Sequence, residues 1–283
     1  MRDFQVLFDH GERSELLDPG MALYGKLGFP AHGEKPWIYA NFVQTLDGIV
    51  SLLGDEAGGA DISESAEDRW LMDLLRAHAD AVMLGMGTLR EEQRMGRPRP
   101  RGPVFRIMDT GMQQLRTTLR RGRERNVLVT ARADFQMSDY AVFDGEFVDV
   151  TLVTTHEGAR RLGPQLEAHP RVDVIAVDDV ESSRGEGLDL RKAVAELQQR
   201  YGIKHLLCEG GPTLYSGMLQ AGLIDEKFVT VSPMEVGQLC AQGVRPTVLP
   251  NVGFSKEDAV RWEWLSCRKV GDYQFHRFRR KSA

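Results

Sequence analysis

Residues 205–220 read HLLCEGGPTLYSGMLQ and predict a strand, a tight glycine turn and a helix in succession, the unit from which α/β folds are built. Its first part, His205–Cys208, predicts a short buried strand. Glu209-Gly210-Gly211-Pro212-Thr213 predicts a tight turn, and Leu214–Gln220 predicts a helix directly behind it. A helix that starts behind two glycines offers backbone N–H groups and a positive dipole end, which suit a phosphate. The same residues also fit a plain tight turn, so the motif alone leaves both interpretations open.

A second glycine turn lies upstream. The apolar run Ala81–Leu84 predicts a strand, and Gly85-Met86-Gly87-Thr88 follows it. The spacing is not that of the GxGxxG dinucleotide fingerprint, and Thr88 could simply cap a helix. Two such turns in one parallel sheet nevertheless favour a ligand site, because ligands of open α/β sheets bind outside the carboxyl ends of the strands.

A third polar turn, Thr45-Leu46-Asp47-Gly48, follows the predicted strand Trp37–Phe42. Asp-Gly is a common turn sequence, and its carboxylate often only caps the turn. A carboxyl group beside a nucleotide site can also act as an acid, and partial burial would raise the pKa of Asp47 toward neutrality. We therefore expect Asp47 to be catalytic, with Glu209 as its rival.

Strands and helices alternate from Trp37 onward, which predicts an α/β fold with a mainly parallel sheet covered on both faces. The other predicted elements are helices at Ser65–His78, Met112–Arg121 and Leu188–Tyr201, strands at Asn126–Val129, Thr151–Thr154, Val172–Val177 and Lys227–Ser232, and an antiparallel C-terminal hairpin at Trp262–Arg279 that turns at Gly271-Asp272. Residues 1–35 show no long periodic pattern and predict a polar arm, which leaves residues 36–283 as one three-layer α/β/α domain.

Composition and charge narrow the class of protein. The chain has 283 residues, 42% of them hydrophobic and 27% charged, which is typical of a globular protein. A net charge of −5 argues against a nucleic-acid partner, and no apolar run is long enough to span a membrane. Three cysteines without CxxC spacing and seven histidines without HxH spacing predict neither disulfides nor a metal site. These features, with no apolar signal core at the N-terminus, predict a cytoplasmic protein.

The three turns and their flanks resemble a known family when they are taken in order. The segments that carry the resemblance are Asn41–Gly48, Leu75–Arg90, Glu209–Leu214 and Gly222–Glu226. They resemble the reductase domain of the bifunctional riboflavin-biosynthesis deaminase–reductase, which belongs to the dihydrofolate-reductase-like superfamily. No HxE…PCxxC zinc signature of the deaminase half precedes them, so the chain resembles a stand-alone reductase.

The resemblance implies a dihydrofolate-reductase-like fold and an NADPH-dependent oxidoreductase. The implied substrate is a small phosphorylated pyrimidine, as for a 5-amino-6-(5-phosphoribosylamino)uracil reductase, whose ribosyl group is opened and reduced at C1′ to ribityl. Two alternatives remain at this stage. One is an NADPH-dependent reductase of a pterin or another small substrate, and the other is a non-catalytic nucleotide-binding relative.

The resemblance also assigns roles to individual residues. Those implied to bind the cofactor are Gly48, Ile49, Gly85, Gly87, Thr88, Thr130, Arg132, Glu209, Gly210, Gly211, Thr213 and Leu214. Those implied to bind the substrate are Asn41, Thr45, Asp47, Arg69 and Glu92. Among them Arg132 is expected to meet the adenosine 2′-phosphate and to favour NADPH over NADH.

Members of the family commonly form homodimers, and we expect one here. The terminal hairpin offers the apolar residues Trp264, Phe275 and Phe278, and an uncovered apolar sheet edge is a liability for a monomer. At a period of two, the same aromatic residues could instead fill the chain's own core.

Overall fold

The computed structural model describes residues 2–15, 21–53, 59–94, 101–182, 185–250 and 252–282. Its strands are β1 (Gln5–Asp9), β2 (Trp37–Gln44), β3 (Ala81–Gly85), β4 (Arg125–Val129), β5 (Asp149–Thr155), β6 (Val172–Val177), β7 (Asp179–Ser182), β8 (Gly185–Leu188), β9 (His205–Cys208), β10 (Glu226–Val231), β11 (Leu239–Cys240), β12 (Gly243–Val244), β13 (Trp262–Val270) and β14 (Tyr273–Arg280). Its α-helices are α1 (Gly59–Ser63), α2 (Ala66–His78), α3 (Met86–Arg94), α4 (Thr110–Thr118), α5 (His156–Leu162), α6 (Leu190–Tyr201) and α7 (Pro212–Gln220). None of these helices is long and apolar enough to cross a bilayer.

Ten strands form one sheet in the order β1-β13-β14-β10-β2-β9-β3-β4-β5-β6. All neighbours from β10 to β6 are parallel, and β14, β13 and β1 add antiparallel pairs at one side. The predicted α/β class, mainly parallel sheet and antiparallel C-terminal hairpin are therefore confirmed. The hairpin turns at Gly271-Asp272, as expected.

Helices cover both faces of the sheet, which confirms the three-layer arrangement. Helices α2, α3, α4 and α5 pack on one face, where Leu74 and Leu115 belong to the larger buried core cluster. Helices α6 and α7 pack on the other face through Val194, Leu197 and Met218. We call these the α2 face and the α7 face.

Local sequence explains where the two principal helices begin and end. Ser65 caps α2 by accepting a hydrogen bond from the backbone N–H of Asp68, and acidic residues occupy its first turn. Asp189 caps α6 in the same way, and the helix ends at Gly202, whose φ of +64° lies in the left-handed region. The two N-caps therefore fix where these helices begin, and Gly202 fixes where α6 ends.

The prediction of a polar arm over residues 1–35 is wrong for the described part of that segment. Strand β1 pairs with β13, and Phe4 and Tyr24 are buried in the main core. The ring of Phe4 lies 4.8 Å from that of Phe275. One short strand followed by scattered aromatic residues carries no periodic signal, because each contact depends on the distant C-terminal hairpin.

The expectation that the C-terminal hairpin forms the uncovered sheet edge of a dimer is wrong. The hairpin is not an edge, since β1 covers β13, and Phe275 is only 1% exposed. The described sheet edge on this side is β1 itself. Val6 and Leu7 of β1 are each 52% exposed.

Candidate functional site

The two glycine turns lie side by side at the carboxyl edge of the sheet. Strands β3 and β9 are parallel neighbours, with Met83 opposite Cys208. Behind them the backbones approach so closely that a Cβ on Gly210 would lie 3.0 Å from both the Gly85 nitrogen and the Leu84 Cα. Only glycine fits this position without displacing backbone, which explains the Gly at the first turn position.

A hydrogen bond joins the two turns. The Thr88 hydroxyl oxygen accepts from the backbone N–H of Gly211 at 3.1 Å. Thr88 therefore does more than cap its own helix: it holds the start of α3 against the start of α7.

A cleft of about 990 Å³ opens beside these turns on the α7 face. The predicted cofactor residues that line it are Gly85, Gly87, Thr88, Thr130, Gly211, Thr213 and Leu214. The starts of α3, α6 and α7 all line it, so three positive helix ends meet there. The hairpin β7–β8 forms a further wall, with Val180 and Gly187, that the sequence pattern does not predict.

The remaining predicted cofactor residues do not line the cleft. Glu209 is paired with Arg76 of α2, and Gly210 packs against the backbone of Leu84 and Gly85. Ile49 is 2% exposed and pairs with Thr247 in a different loop. Arg132 is exposed and follows Thr130 and Ala131, which do line the cleft, so it lies near the rim. Gly48 has a φ of +82°, which the tight turn after β2 requires.

The residues of the cleft fit a dinucleotide. A Cβ on Gly87 would meet nothing within 4 Å, so the wall there is open to a ligand. Helix α7 has Gly211 as its N-cap and no side chain that caps it, which leaves its N-terminus accessible to a pyrophosphate.

Two glycine substitutions distinguish a glycine that leaves room for the ligand, Gly87, from one that packs against protein backbone, Gly210. We expect Gly87→Ala to leave the free energy of unfolding unchanged or up to about 1 kcal/mol higher, because alanine favours helices, while the Kd of NADPH rises about tenfold or more. We expect Gly210→Ala to lower both stability and affinity, since its methyl group would press on backbone atoms. Urea denaturation and a binding titration measure the two effects, and unchanged NADPH affinity in Gly87→Ala would remove the cofactor from this wall.

A second group of polar residues lies on the opposite, α2 face. Tyr39 of β2 points to this face, since its hydroxyl donates to the Leu75 carbonyl of α2. Asn41, two residues further along the strand, shares that face. Its Oδ1 is buried and accepts no hydrogen bond within the described residues. The resemblance implies that Asn41 binds the substrate, and this unsatisfied acceptor is consistent with that role.

Asp68, which sequence reasoning missed, belongs to the same group. Its carboxyl faces the hydroxyls of Thr230 and Ser63. Burial raises the pKa of Asp68, while these hydroxyls and the neighbouring Arg69 act in the opposite direction. Arg69 itself is exposed, at the outer end of the group. The available signal was an acid in the first turn of a helix at a strand end, which helix capping alone already explains.

Glu209 forms a buried ion pair beneath this group. The Arg76 guanidinium donates to its two carboxylate oxygens, at 2.8 Å from Nε and 2.6 Å from Nη2, and both side chains are 7% exposed. This bidentate pair makes Glu209 an acceptor with both oxygens engaged, so its predicted role as a proton donor has no support in the geometry. Glu92 lies nearby, and burial, with the charges of Glu209 and Glu91, raises the pKa of Glu92 to about 7 although Arg76 opposes this.

The environment predicted for Asp47 is wrong. The side chain is exposed, and its carboxylate accepts hydrogen bonds from the Thr45 hydroxyl and from the backbone N–H groups of Gly237, at 2.7 Å, and Val236, at 3.3 Å. The hydrogen bond from Thr45 is the largest cause that holds the pKa of Asp47 below its usual value; burial acts in the opposite direction, and the backbone hydrogen bonds lower the pKa further. Asp47 therefore ties two loops together.

Thr45 is also occupied within the protein. Thr45 is fully buried. Its hydroxyl oxygen accepts a hydrogen bond from the Ile49 backbone N–H at 2.9 Å, and its hydroxyl group donates a hydrogen bond to the Asp47 carboxylate. The substrate contact predicted for Thr45 is therefore not available to its side chain. The structure brings together Asn41, Arg69, Glu92 and Glu209 on the α2 face, and it places Thr45 and Asp47 in a loop anchor.

The fold and the site define an α/β protein with a ligand cleft at adjacent strand ends and a carboxyl-rich group across the sheet. Residues 36–273 match the family model described as the RibD C-terminal domain, and the chain belongs to this family. The resemblance stated from the sequence is thus confirmed.

Similar proteins agree with this assignment. The chain is 26% identical over 228 residues to a 2,5-diamino-6-ribosylamino-4(3H)-pyrimidinone 5′-phosphate reductase of Archaeoglobus fulgidus, covering 79% of this chain and 90% of that one. It is 29% identical over 240 residues to the protein of the same name from Methanothermobacter thermautotrophicus, covering 84% and 95%. The structure superposes with a TM-score of 0.68 on a pyrimidine reductase-like protein of Corynebacterium diphtheriae, at 21% identity, covering 94% of this chain and 100% of that one. The last likeness concerns the fold alone.

Proposed function

We propose that this chain is an NADPH-dependent reductase of 2,5-diamino-6-ribosylamino-4(3H)-pyrimidinone 5′-phosphate in riboflavin biosynthesis. The observation that carries the proposal is the arrangement about the end of β9. A glycine-lined cleft with three helix starts lies on one face, and Asp68, Asn41 and Glu209 lie on the other. The names of the two archaeal relatives support the same substrate.

The α2 face has the acceptors that this pyrimidine requires. Its 2-amino group and adjacent ring N–H form a pair of donors, which a carboxylate can accept in parallel. Asp68 supplies the carboxylate, and the unsatisfied Oδ1 of Asn41 supplies a further acceptor. A uracil ring presents a carbonyl at the same position, so two oxygens would face each other. Exposed Arg69 suits the 5′-phosphate.

The bound cofactor would supply a hydride for C1′ of the substrate, and the protein's own residues position the reactants and manage a proton. The cofactor's phosphates would lie at Gly211, Thr213 and the start of α7. We assign the proton to Glu92 in place of Asp47, because Glu92 is half-buried and carries a raised pKa.

The pH profile tests the assignment of Glu92. A carboxyl that gives a proton works in its protonated form, so kcat/KM should fall as pH rises through about 7. In Glu92→Gln this inflection should disappear and activity at pH 6 should drop about 10²-fold or more. An unchanged inflection in the variant would assign the proton to another group or to water.

The preference for NADPH rests on Arg132. A guanidinium at the rim can pair with the adenosine 2′-phosphate through charge-assisted hydrogen bonds worth about 1.5–3 kcal/mol. We expect Arg132→Ala to raise the Kd of NADPH about tenfold or more and to leave that of NADH nearly unchanged. Arg160→Ala is the matched control, because Arg160 is exposed and paired with Glu157 on α5. Equal weakening of both cofactors would contradict the assignment.

A pterin carries the same amino and ring N–H donors, so the carboxylate of Asp68 makes pterin reduction the second candidate. NADPH oxidation should be followed with the diaminopyrimidinone phosphate, its uracil counterpart and dihydrofolate. We expect kcat/KM for the first to exceed the other two about 10²-fold or more. Dihydrofolate as the best substrate would replace the proposal with the second candidate, and no turnover with any of them would support a non-catalytic relative.

We further propose that the protein is cytoplasmic, on its three free cysteines, and that it forms a homodimer through the half-exposed apolar residues Val6 and Leu7 at the β1 edge. Light scattering at micromolar concentration should give twice the chain mass of 31.8 kDa. A mass equal to one chain would overturn this assignment.

A further inference from the structure

A second cavity, of about 310 Å³, lies on the α7 face between α7, the strands β2 and β10, and residues 248–249 and 254–262. Helix α7 separates it from the cofactor cleft: Tyr215 and Leu219 line the cavity, whereas Leu214 and Gly217 line the cleft. The proposed reductase function uses no residue of this cavity.

The cavity wall is almost entirely apolar and contains one cation. Aromatic and aliphatic side chains form most of the wall, among them Phe42, Val229 and Phe254. The cation is Lys227, and the lining includes no acidic residue. The other polar side-chain groups among the lining residues are the Gln44 amide, the Tyr215 hydroxyl and the Trp262 indole N–H.

Lys227 lacks an ionic partner within the described ranges. Its ammonium lies 4.5 Å from the centroid of the Trp262 ring and 5.3 Å from that of Phe278, so aromatic faces are its recorded neighbours. Burial lowers the pKa of Lys227 to about 8, and no carboxylate offsets this. At neutral pH the amine is thus a charged group that has lost part of its hydration without gaining a counter-ion, which costs free energy.

We infer that this cavity binds a small amphipathic monocarboxylate, with its carboxylate on Lys227 and its apolar tail among Phe42, Val229 and Phe254. A carboxylate would restore the missing counter-ion and accept a charge-assisted hydrogen bond. The apolar wall would bury the tail, and a volume near the lower end of ligand pockets limits it to a short chain. The site takes a ligand class different from the dinucleotide and the phosphorylated pyrimidine.

Calorimetric titration of the wild-type chain, saturated with NADPH so that the cofactor cleft is filled, tests this with octanoate and octanol. These probes share an apolar tail and differ in the head group. We expect octanoate to bind at least tenfold more tightly than octanol. Equal affinities, or no octanoate binding up to millimolar concentration, would overturn the inference, and neither result depends on a variant.

The variants Lys227→Met and Lys227→Arg then locate the head group. We expect Lys227→Met to bind octanoate at least tenfold more weakly and octanol as the wild type does, whereas Lys227→Arg should retain octanoate. Octanoate affinity that is unchanged in a folded Lys227→Met variant would place the ligand elsewhere. The rate of substrate reduction without octanoate should be unaltered in both variants, so failure here is distinguishable from failure of the proposed function.

Discussion

Asp68→Asn is expected to lower kcat/KM for the diaminopyrimidinone phosphate about 10²–10³-fold while the Kd of NADPH changes little. The amide keeps one acceptor but replaces the other with an NH₂ donor, which would face the substrate's own amino group. Losing one charge-assisted hydrogen bond and opposing two donors costs about 3–4 kcal/mol, and each 1.36 kcal/mol is a tenfold change. Steady-state kinetics with both pyrimidines measure the effect.

Asp47→Asn provides the matched control. The chemical change is the same, but the Asp47 carboxylate is exposed and anchors a loop through Gly237 and Val236. We expect less than about a tenfold loss of kcat/KM, because an amide oxygen can still accept one of those hydrogen bonds. A loss of 10²-fold or more in Asp47→Asn, together with near-normal turnover in Asp68→Asn, would reverse the two assignments.

Glu209→Leu is expected to lower the free energy of unfolding by about 3–5 kcal/mol. The substitution leaves the Arg76 guanidinium buried with its main counter-ion removed, and breaking a buried pair from one side has this cost. The remaining partners, the Arg106 carbonyl at 3.0 Å and the Asp73 carboxylate at 3.7 Å, compensate only in part. Urea denaturation monitored by circular dichroism measures this change in the free energy of unfolding.

Two further variants separate this cost from the worth of the pair itself. The double variant Arg76→Met/Glu209→Leu should recover most of the lost stability, because apolar side chains can replace a buried pair. Asp134→Asn, which breaks the exposed pair with Arg90, should change stability by less than about 1 kcal/mol. If Glu209→Leu and Asp134→Asn lowered the free energy of unfolding by similar amounts, the buried Arg76–Glu209 pair would matter no more to stability than an exposed pair.

The elements that the sequence predicts well are those whose signal is local. The strand–turn–helix at 205–220 needs only an apolar run, two glycines and a helix start, and β9 and α7 lie there. Strand β1 was missed because its neighbour β13 lies more than 250 residues away in sequence. The hairpin β7–β8 was missed because four-residue strands give too short a pattern to separate from a loop.

The candidate site likewise contains residues that a local pattern predicts and residues whose surroundings come from distant parts of the chain. Each glycine turn follows an apolar strand directly, a local pattern that predicts a ligand site, and Gly85, Gly87 and Gly211 line the cleft. The surroundings of Asp47 depend on backbone N–H groups about 190 residues away, which no local pattern reveals. The surroundings of Asp68 likewise include Thr230, a residue of a strand two positions beyond β9 in the sheet.

The most direct test of the account is the fate of the hydride. NADPH that carries deuterium at both prochiral positions of nicotinamide C4 should be incubated with the diaminopyrimidinone phosphate and the enzyme, and the product analysed by mass spectrometry and NMR. The account predicts one deuterium at C1′ of a ribityl product. Oxidation of the cofactor with no deuterium in the pyrimidine product, or no ribityl product at all, would contradict it.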